Sequence, residues 1–140
     1  MNTATAARAP RRGLNATLAV VQIVLALAFG AAGLMKLSQP IDALASSMAW
    51  VSAVPAPLVR FIGAAELAGA LGLLLPWLTR IQPRLIPVAA VGLVLVMVLA
   101  SAFHLSRGEA SAVPVNFVLG ALAAFVAWGR SRAVPIQPRG

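Results

Sequence analysis

The run GLNATLAVVQIVLALAFGAAGLM, from Gly13 to Met35, contains no charged residue. As an α-helix rising about 1.5 Å per residue, it is long enough to cross a hydrocarbon layer about 30 Å thick. A secretory signal would also place arginines, here Arg8, Arg11 and Arg12, before an apolar stretch. Such a stretch normally runs for about 7–15 residues and ends at a small-x-small cleavage site. This one continues without that site, so it is read as a retained membrane span.

Three further runs lie downstream. Phe61 to Thr79 is interrupted only by Glu66 and closed by Pro76-Trp77. Leu85 to Ser106 and Ala110 to Gly129 carry Pro87 and Pro114 in their first turns, where a missing N–H costs least. The expectation is an all-α, four-helix transmembrane bundle with spans at about 13–36, 59–79, 85–106 and 112–129. The membrane domain then covers 13–130, between mobile basic tails at 1–12 and 131–140. Between the first two spans, Ser38 to Pro57 is too broken by proline to cross. Its middle, Ile41 to Val54, is expected as a short amphipathic surface helix with Asp42 as its cap and Met48, Trp50 and Val51 turned inward.

Composition agrees. Of the 140 residues, 61% are hydrophobic, and the mean hydropathy is +0.93, more apolar surface than a soluble core of this size can absorb. Eleven Lys and Arg against three Asp and Glu give a net charge of +8. That balance can signify nucleic acid, but here the cations gather in the tails and one connection, which is the pattern of membrane orientation. With the N-terminus inside, Arg8, Arg11, Arg12, Arg80, Arg84, Arg130, Arg132 and Arg139 are cytoplasmic, and only Lys36, Arg60 and Arg107 lie at the other surface. Both termini are therefore placed in the cytoplasm, and the basic tails against anionic lipid.

This threading puts every reactive side chain in one outer layer: Lys36, Arg60, Glu66, His104 and Asn116. Glu66 lies about 9 Å deeper than Arg60 along its helix, a depth at which a carboxylate needs a partner. Lys36, on the neighbouring helix, is the partner expected. Spacing supports close packing there. Gln22, Ala26, Gly30, Gly33 and Lys36 share one helix face, and Gly63, Glu66, Gly69 and Ala70 another; comparable stripes follow Gly92 to His104 and Asn116 to Ala127. Two readings follow from the pair. In one, Lys36 and Glu66 merely lock two helices, with Arg60 and Asn116 satisfying what remains. In the other they border a polar pocket open to the outer surface, where Glu66 relays protons and His104 or Arg60 binds a quinone-like or small anionic ligand. Only the second predicts a cavity.

The chain has no cysteine, which excludes thiol redox chemistry and thiolate metal sites, and a single histidine cannot supply both axial ligands of a haem. No metal site and no covalent cofactor are expected.

Phe29-Gly30-Ala31-Ala32-Gly33-Leu34-Met35-Lys36-Leu37 and Arg60-Phe61-Ile62-Gly63-Ala64-Ala65-Glu66-Leu67-Ala68-Gly69-Ala70-Leu71-Gly72-Leu73-Leu74-Leu75-Pro76 resemble the DoxX family of small bacterial membrane proteins. His104, Arg107-Gly108-Glu109 and Asn116 resemble its DoxX-like branch, and the likeness runs from Val20 to about Arg130. The resemblance implies a four-helix bundle in the inner membrane of a bacterial cell, and association with redox systems that use quinone in some relatives. Its polar pattern matches Lys36, Arg60, Glu66 and His104. The function expected is an accessory subunit of a redox or quinone-linked membrane system, with a membrane or periplasmic protein partner. The alternative is a non-enzymatic scaffold held by a structural Lys–Glu pair. Homo-oligomerisation through the small-residue faces is compatible with both.

Overall fold

The computed structural model describes residues 8–140, with side chains from Arg11 onward; the first part of the N-terminal tail, 1–7, lies outside the described residues. Among the described residues the chain is all-helical, with no strand. It comprises α1 (Arg8–Ser38), α2 (Ile41–Ser47), a 3-10 turn (Ala49–Ala53), α3 (Ala56–Thr79), α4 (Leu85–Ser106) and α5 (Val113–Trp128). A second 3-10 turn, Ala110–Ala112, leads into α5, and a π-helical turn, Gly129–Ala133, leads out of it.

α1, α3, α4 and α5 with its flanking turns are each long and apolar enough to cross a membrane. α5 alone is only 16 residues, about 24 Å, so its span depends on the turns at both ends. Large apolar side chains such as Leu27, Leu78, Val88, Leu99 and Phe117 are exposed around the bundle, as a lipid-facing surface requires.

α1 packs mainly against α3, and α4 against α5. The α1–α3 seam is the closer contact because glycines face each other across it. A Cβ on Gly33 would stand 2.7 Å from the Gly63 carbonyl oxygen, and one on Gly63 would stand 2.7 Å from the Lys36 Cβ. Lys36 and Glu66 therefore meet where the two backbones nearly touch. The α4–α5 seam is looser, with Gly120 against Met97, and Gly92 faces open space instead of a neighbour. Leu18, Leu25, Phe29, Leu73, Leu93 and Val126 fill the middle of the bundle.

The connection between α1 and α3 is a short helix and a 3-10 turn. Leu44 and Val51 bury themselves with Val59, while Met48 and Trp50 pack alongside. Asp42 does not cap it: Pro40 holds the N-cap position without a side-chain bond, and Asp42 lies in the first turn, where it favours the helix dipole.

The opposite end of the bundle departs from the expected picture of mobile basic tails. The segment after α5 folds back, with Val134 and Ile136 against the core. The Arg139 N–H donates to the Arg80 carbonyl at 3.0 Å, tying the chain end to the left-handed residue that closes α3. Arg130, expected at the head-group surface, is buried instead. Its Nε donates to Gln22 Oε1 at 2.6 Å and its Nη1 to Asn15 Oδ1 at 2.5 Å, while Gln22 Nε2 donates to the Leu73 carbonyl. The expectation that all reactive polar groups share one layer is thereby corrected. A second buried polar cluster joins α1, α3 and the end of α5 on the termini's side.

Candidate functional site

The site lies at the end where α1 finishes and α3 begins. Lys36 occupies the last turn of α1 and Glu66 the middle of α3, and the Lys36 Nζ donates to Glu66 Oε2 at 2.7 Å. Both residues are 5% exposed. Two opposite charges in a medium of low dielectric hold each other strongly, and each would be costly alone. Arg60 lies about one and two-thirds turns before Glu66 on α3. It donates through Nη1 to the Lys36 carbonyl, so its contact is with the backbone of the cation-bearing residue and not with the carboxylate.

Beside the pair lies a cavity of about 360 Å³ between α3 and α4. Its polar contributors are Lys36, Glu66, His104 and Asn116; Arg60 does not line it. Most of the remaining wall is apolar, including Met97, Phe103 and Trp50. Trp50, from the connecting 3-10 turn, roofs the cavity next to the pair, with its ring centre 6.0 Å from Lys36 Nζ and Phe103 edge-on to it at 6.4 Å. Phe61 and Leu99 also line the cavity and are 70% and 60% exposed on the bundle surface. The cavity therefore reaches the side of the bundle between α3 and α4, where lipid would lie.

At the rim, α4 ends in a Schellman motif. Gly108, at φ 75°, reverses the chain, so that the Glu109 N–H reaches the His104 carbonyl and the Gly108 N–H that of Leu105. The reversal returns the Glu109 side chain to His104: Nδ1 lies 2.7 Å from Glu109 Oε2, while Arg107 Nε donates to Oε1 at 2.8 Å. Hydrogen bonds from His104 and then Arg107 hold the Glu109 carboxyl below its ordinary 4.5. Across the cavity, the Asn116 Nδ2 is buried and finds no partner among the described residues.

Four of the five residues singled out from sequence thus border one space, and the fifth anchors one of them. Glu109, Trp50 and Phe103 were not anticipated as parts of it. For Glu109 the available signal was the Arg-Gly-Glu sequence directly after a helix ending in histidine, since glycine there permits the reversal. Among the described residues no group of three or more His, Cys, Asp or Glu is placed to hold a metal ion.

Comparison with curated proteins and with solved structures gave no match. The profile of the DoxX-like family matches residues 20–126, which include both glycine seams, Lys36, Glu66, His104 and Asn116. A four-helix membrane architecture together with this match over most of the chain places the protein in the DoxX-like family, as a multi-pass integral membrane protein.

Proposed function

We propose that the cavity receives a lipophilic, quinone-type ligand from the bilayer and that the chain acts as an accessory subunit of a redox or quinone-linked membrane system. The observation that carries this reading is the cavity itself. A volume of about 360 Å³, apolar walls, a lateral mouth and a few convergent polar groups suit a ring with a hydrocarbon tail. Glu66 and His104 offer the ring oxygens a carboxylate and an imidazole, the two group types that exchange protons near neutral pH when suitably placed. Electrons would come from a membrane or periplasmic partner. The excess of Lys and Arg at the termini's end argues for N- and C-termini in the cytoplasm and the cavity near the outer leaflet of the inner membrane.

The test uses the full chain in lipid nanodiscs, titrated with a short-chain ubiquinone analogue and followed by Trp50 fluorescence, with Trp50→Phe as the control. Saturable quenching in the micromolar range is expected. Ala100→Phe, which fills the cavity, should abolish it, and Glu66→Gln should weaken it. No saturable binding, or binding indifferent to Ala100→Phe, overturns the reading.

A second reading is favoured by the Gly33–Gly63 approach beside the ion pair. In it the pair locks a non-enzymatic scaffold, and the outward connection from Ile41 to Ala53 docks a protein partner. It requires no ligand in the cavity.

A further inference from the structure

We infer that the Glu109–His104 dyad presents a hydrogen-bond acceptor to the cavity, so that the site takes the reduced, hydroxyl-bearing form of its lipophilic ligand in preference to the keto form. This rests on the cavity being a ligand site, as proposed above.

The argument begins with the imidazole. A neutral histidine carries its proton on one nitrogen only, and the hydrogen bond made by that nitrogen fixes which. His104 Nδ1 lies 2.7 Å from an ionised Glu109 carboxylate, an acceptor with no proton of its own. Nδ1 is therefore the protonated nitrogen, and Nε2 keeps its lone pair. Arg107 holds the other carboxylate oxygen, and the Schellman turn fixes the backbone of Glu109, so the acceptor cannot swing away. Nε2 bonds to no protein atom among the described residues, and His104 lines the cavity.

The other charged groups on this space do not compete for Nε2. Lys36 is spent on Glu66 at 2.7 Å, and Arg60, which does not line the cavity, on the Lys36 carbonyl. From α5 comes a neutral group, Asn116, whose buried Nδ2 lacks an acceptor. The cavity thus offers two acceptors, His104 Nε2 and the Glu66 oxygen that Lys36 leaves free, and one unfilled donor, Asn116 Nδ2. A hydroxyl answers both needs, donating through its hydrogen and accepting through its oxygen. A ketone answers only the second and leaves Nε2 desolvated without a partner. Glu109 is on this account a positioning residue: it touches no ligand and acts by setting the tautomer of His104.

The chain has one histidine, so ¹⁵N-histidine labelling of protein purified without a histidine tag gives one pair of ring-nitrogen resonances. Two measurements on the full chain in nanodiscs test the inference. The ring shifts near neutral pH should show the Nδ1–H tautomer in the wild type and in Glu109→Gln, which retains an acceptor, and the Nε2–H tautomer in Glu109→Ala. A short-chain ubiquinol should bind about tenfold more tightly than the matching ubiquinone under anaerobic conditions, the difference of roughly one hydrogen bond. That preference should shrink in Glu109→Ala, where only the Glu66 oxygen is left as acceptor, and persist in full in Glu109→Gln. An Nε2–H tautomer in the wild type, or equal binding of the two forms, overturns the inference while leaving the cavity reading intact. Failure of both forms to bind overturns the two together. A wild-type preference that survives undiminished in Glu109→Ala removes Glu109 from the account.

Discussion

The Arg60 guanidinium donates through Nη1 to the main-chain carbonyl of Lys36, so α3 grips the end of α1 twice: once by its arginine on the backbone and once by Glu66 on the side chain. The ammonium cannot drift toward water without breaking the second contact, and the backbone that carries it is held by the first. This double hold makes the pair separable from the rest of the site by mutation. Lys36→Ala strands a buried carboxylate and is expected to destabilise the bundle by about 3–5 kcal/mol, read as unfolding in mixed detergent micelles by circular dichroism. The double change Lys36→Met with Glu66→Leu removes both charges and should recover stability to about the wild-type level or above it. Ligand binding should be weakened in both variants. If the double variant is as stable as the wild type and still binds ligand normally, the pair has no role in recognition.

Two glycines, Gly33 on the α1–α3 seam and Gly92 facing open space, predict opposite outcomes for one kind of substitution. At Gly33 an added Cβ would meet the Gly63 carbonyl oxygen at 2.7 Å and the Leu67 nitrogen at 2.8 Å, both backbone atoms that cannot turn aside. Gly33→Ala should therefore force α1 from α3 and cost about 1–3 kcal/mol. At Gly92 nothing lies within 4 Å of the new methyl group, and the residue is inside a helix. Gly92→Ala should stabilise by up to about 1 kcal/mol through helix propensity. Equilibrium unfolding of the two variants side by side checks the pair, and a Gly33→Ala as stable as Gly92→Ala would mean that the α1–α3 approach is not as close as described.

Buried Arg130 makes a further prediction, since it joins elements far apart in sequence. Its fork reaches Gln22 and Asn15 at once, and an ammonium on a single stem cannot reproduce that geometry. Arg130→Lys should lose about 1–3 kcal/mol, with one of the two amide oxygens left without a donor. The loss should appear locally, as faster amide exchange at Val134 and Arg139, whose N–H groups bond to Gly129 and Arg80. Uniform loosening of the whole bundle, with these two amides no faster than the rest, would show that Arg130 does not hold the chain end.

The spans were readable because an uninterrupted apolar run carries its meaning without reference to any partner, and the bilayer leaves the backbone few alternatives. Lys36 with Glu66 was readable for a related reason: an ion within a span must be compensated, and the adjacent helix offered one cation beside facing glycines. Arg130 was not. At the end of a span an arginine looks like a head-group anchor, and only Gln22 and Asn15, 108 and 115 residues away, give it a buried place. Gln22 was the available hint, a polar residue inside the first apolar run with no stated partner. His104 and Glu109 also escaped, because five residues is no helical neighbour distance; they meet through the left-handed Gly108, which periodicity does not describe. The lateral mouth depends on which faces of α3 and α4 stay apart, a property of packing rather than of either helix.

Acid should open the rim of the site through Glu109. The bonds from His104 and Arg107 keep the Glu109 carboxyl ionised below its ordinary 4.5, so its folded value is the depressed one. For a carboxylate lowered in this way the stabilisation is complete above the unfolded value and is lost as pH falls through the folded one. The turn after α4 is therefore expected to hold at neutral pH and to loosen only below about pH 4.5. The Gly108 amide, bonded to Leu105, is a convenient reporter, and its ¹⁵N–¹H shift should move in that window in the wild type. In Glu109→Gln there is no carboxyl to titrate, and the same amide should stay still. Movement of equal size in the variant would assign the transition to another group, with Asp42 and Glu66 the only other acidic side chains in the chain.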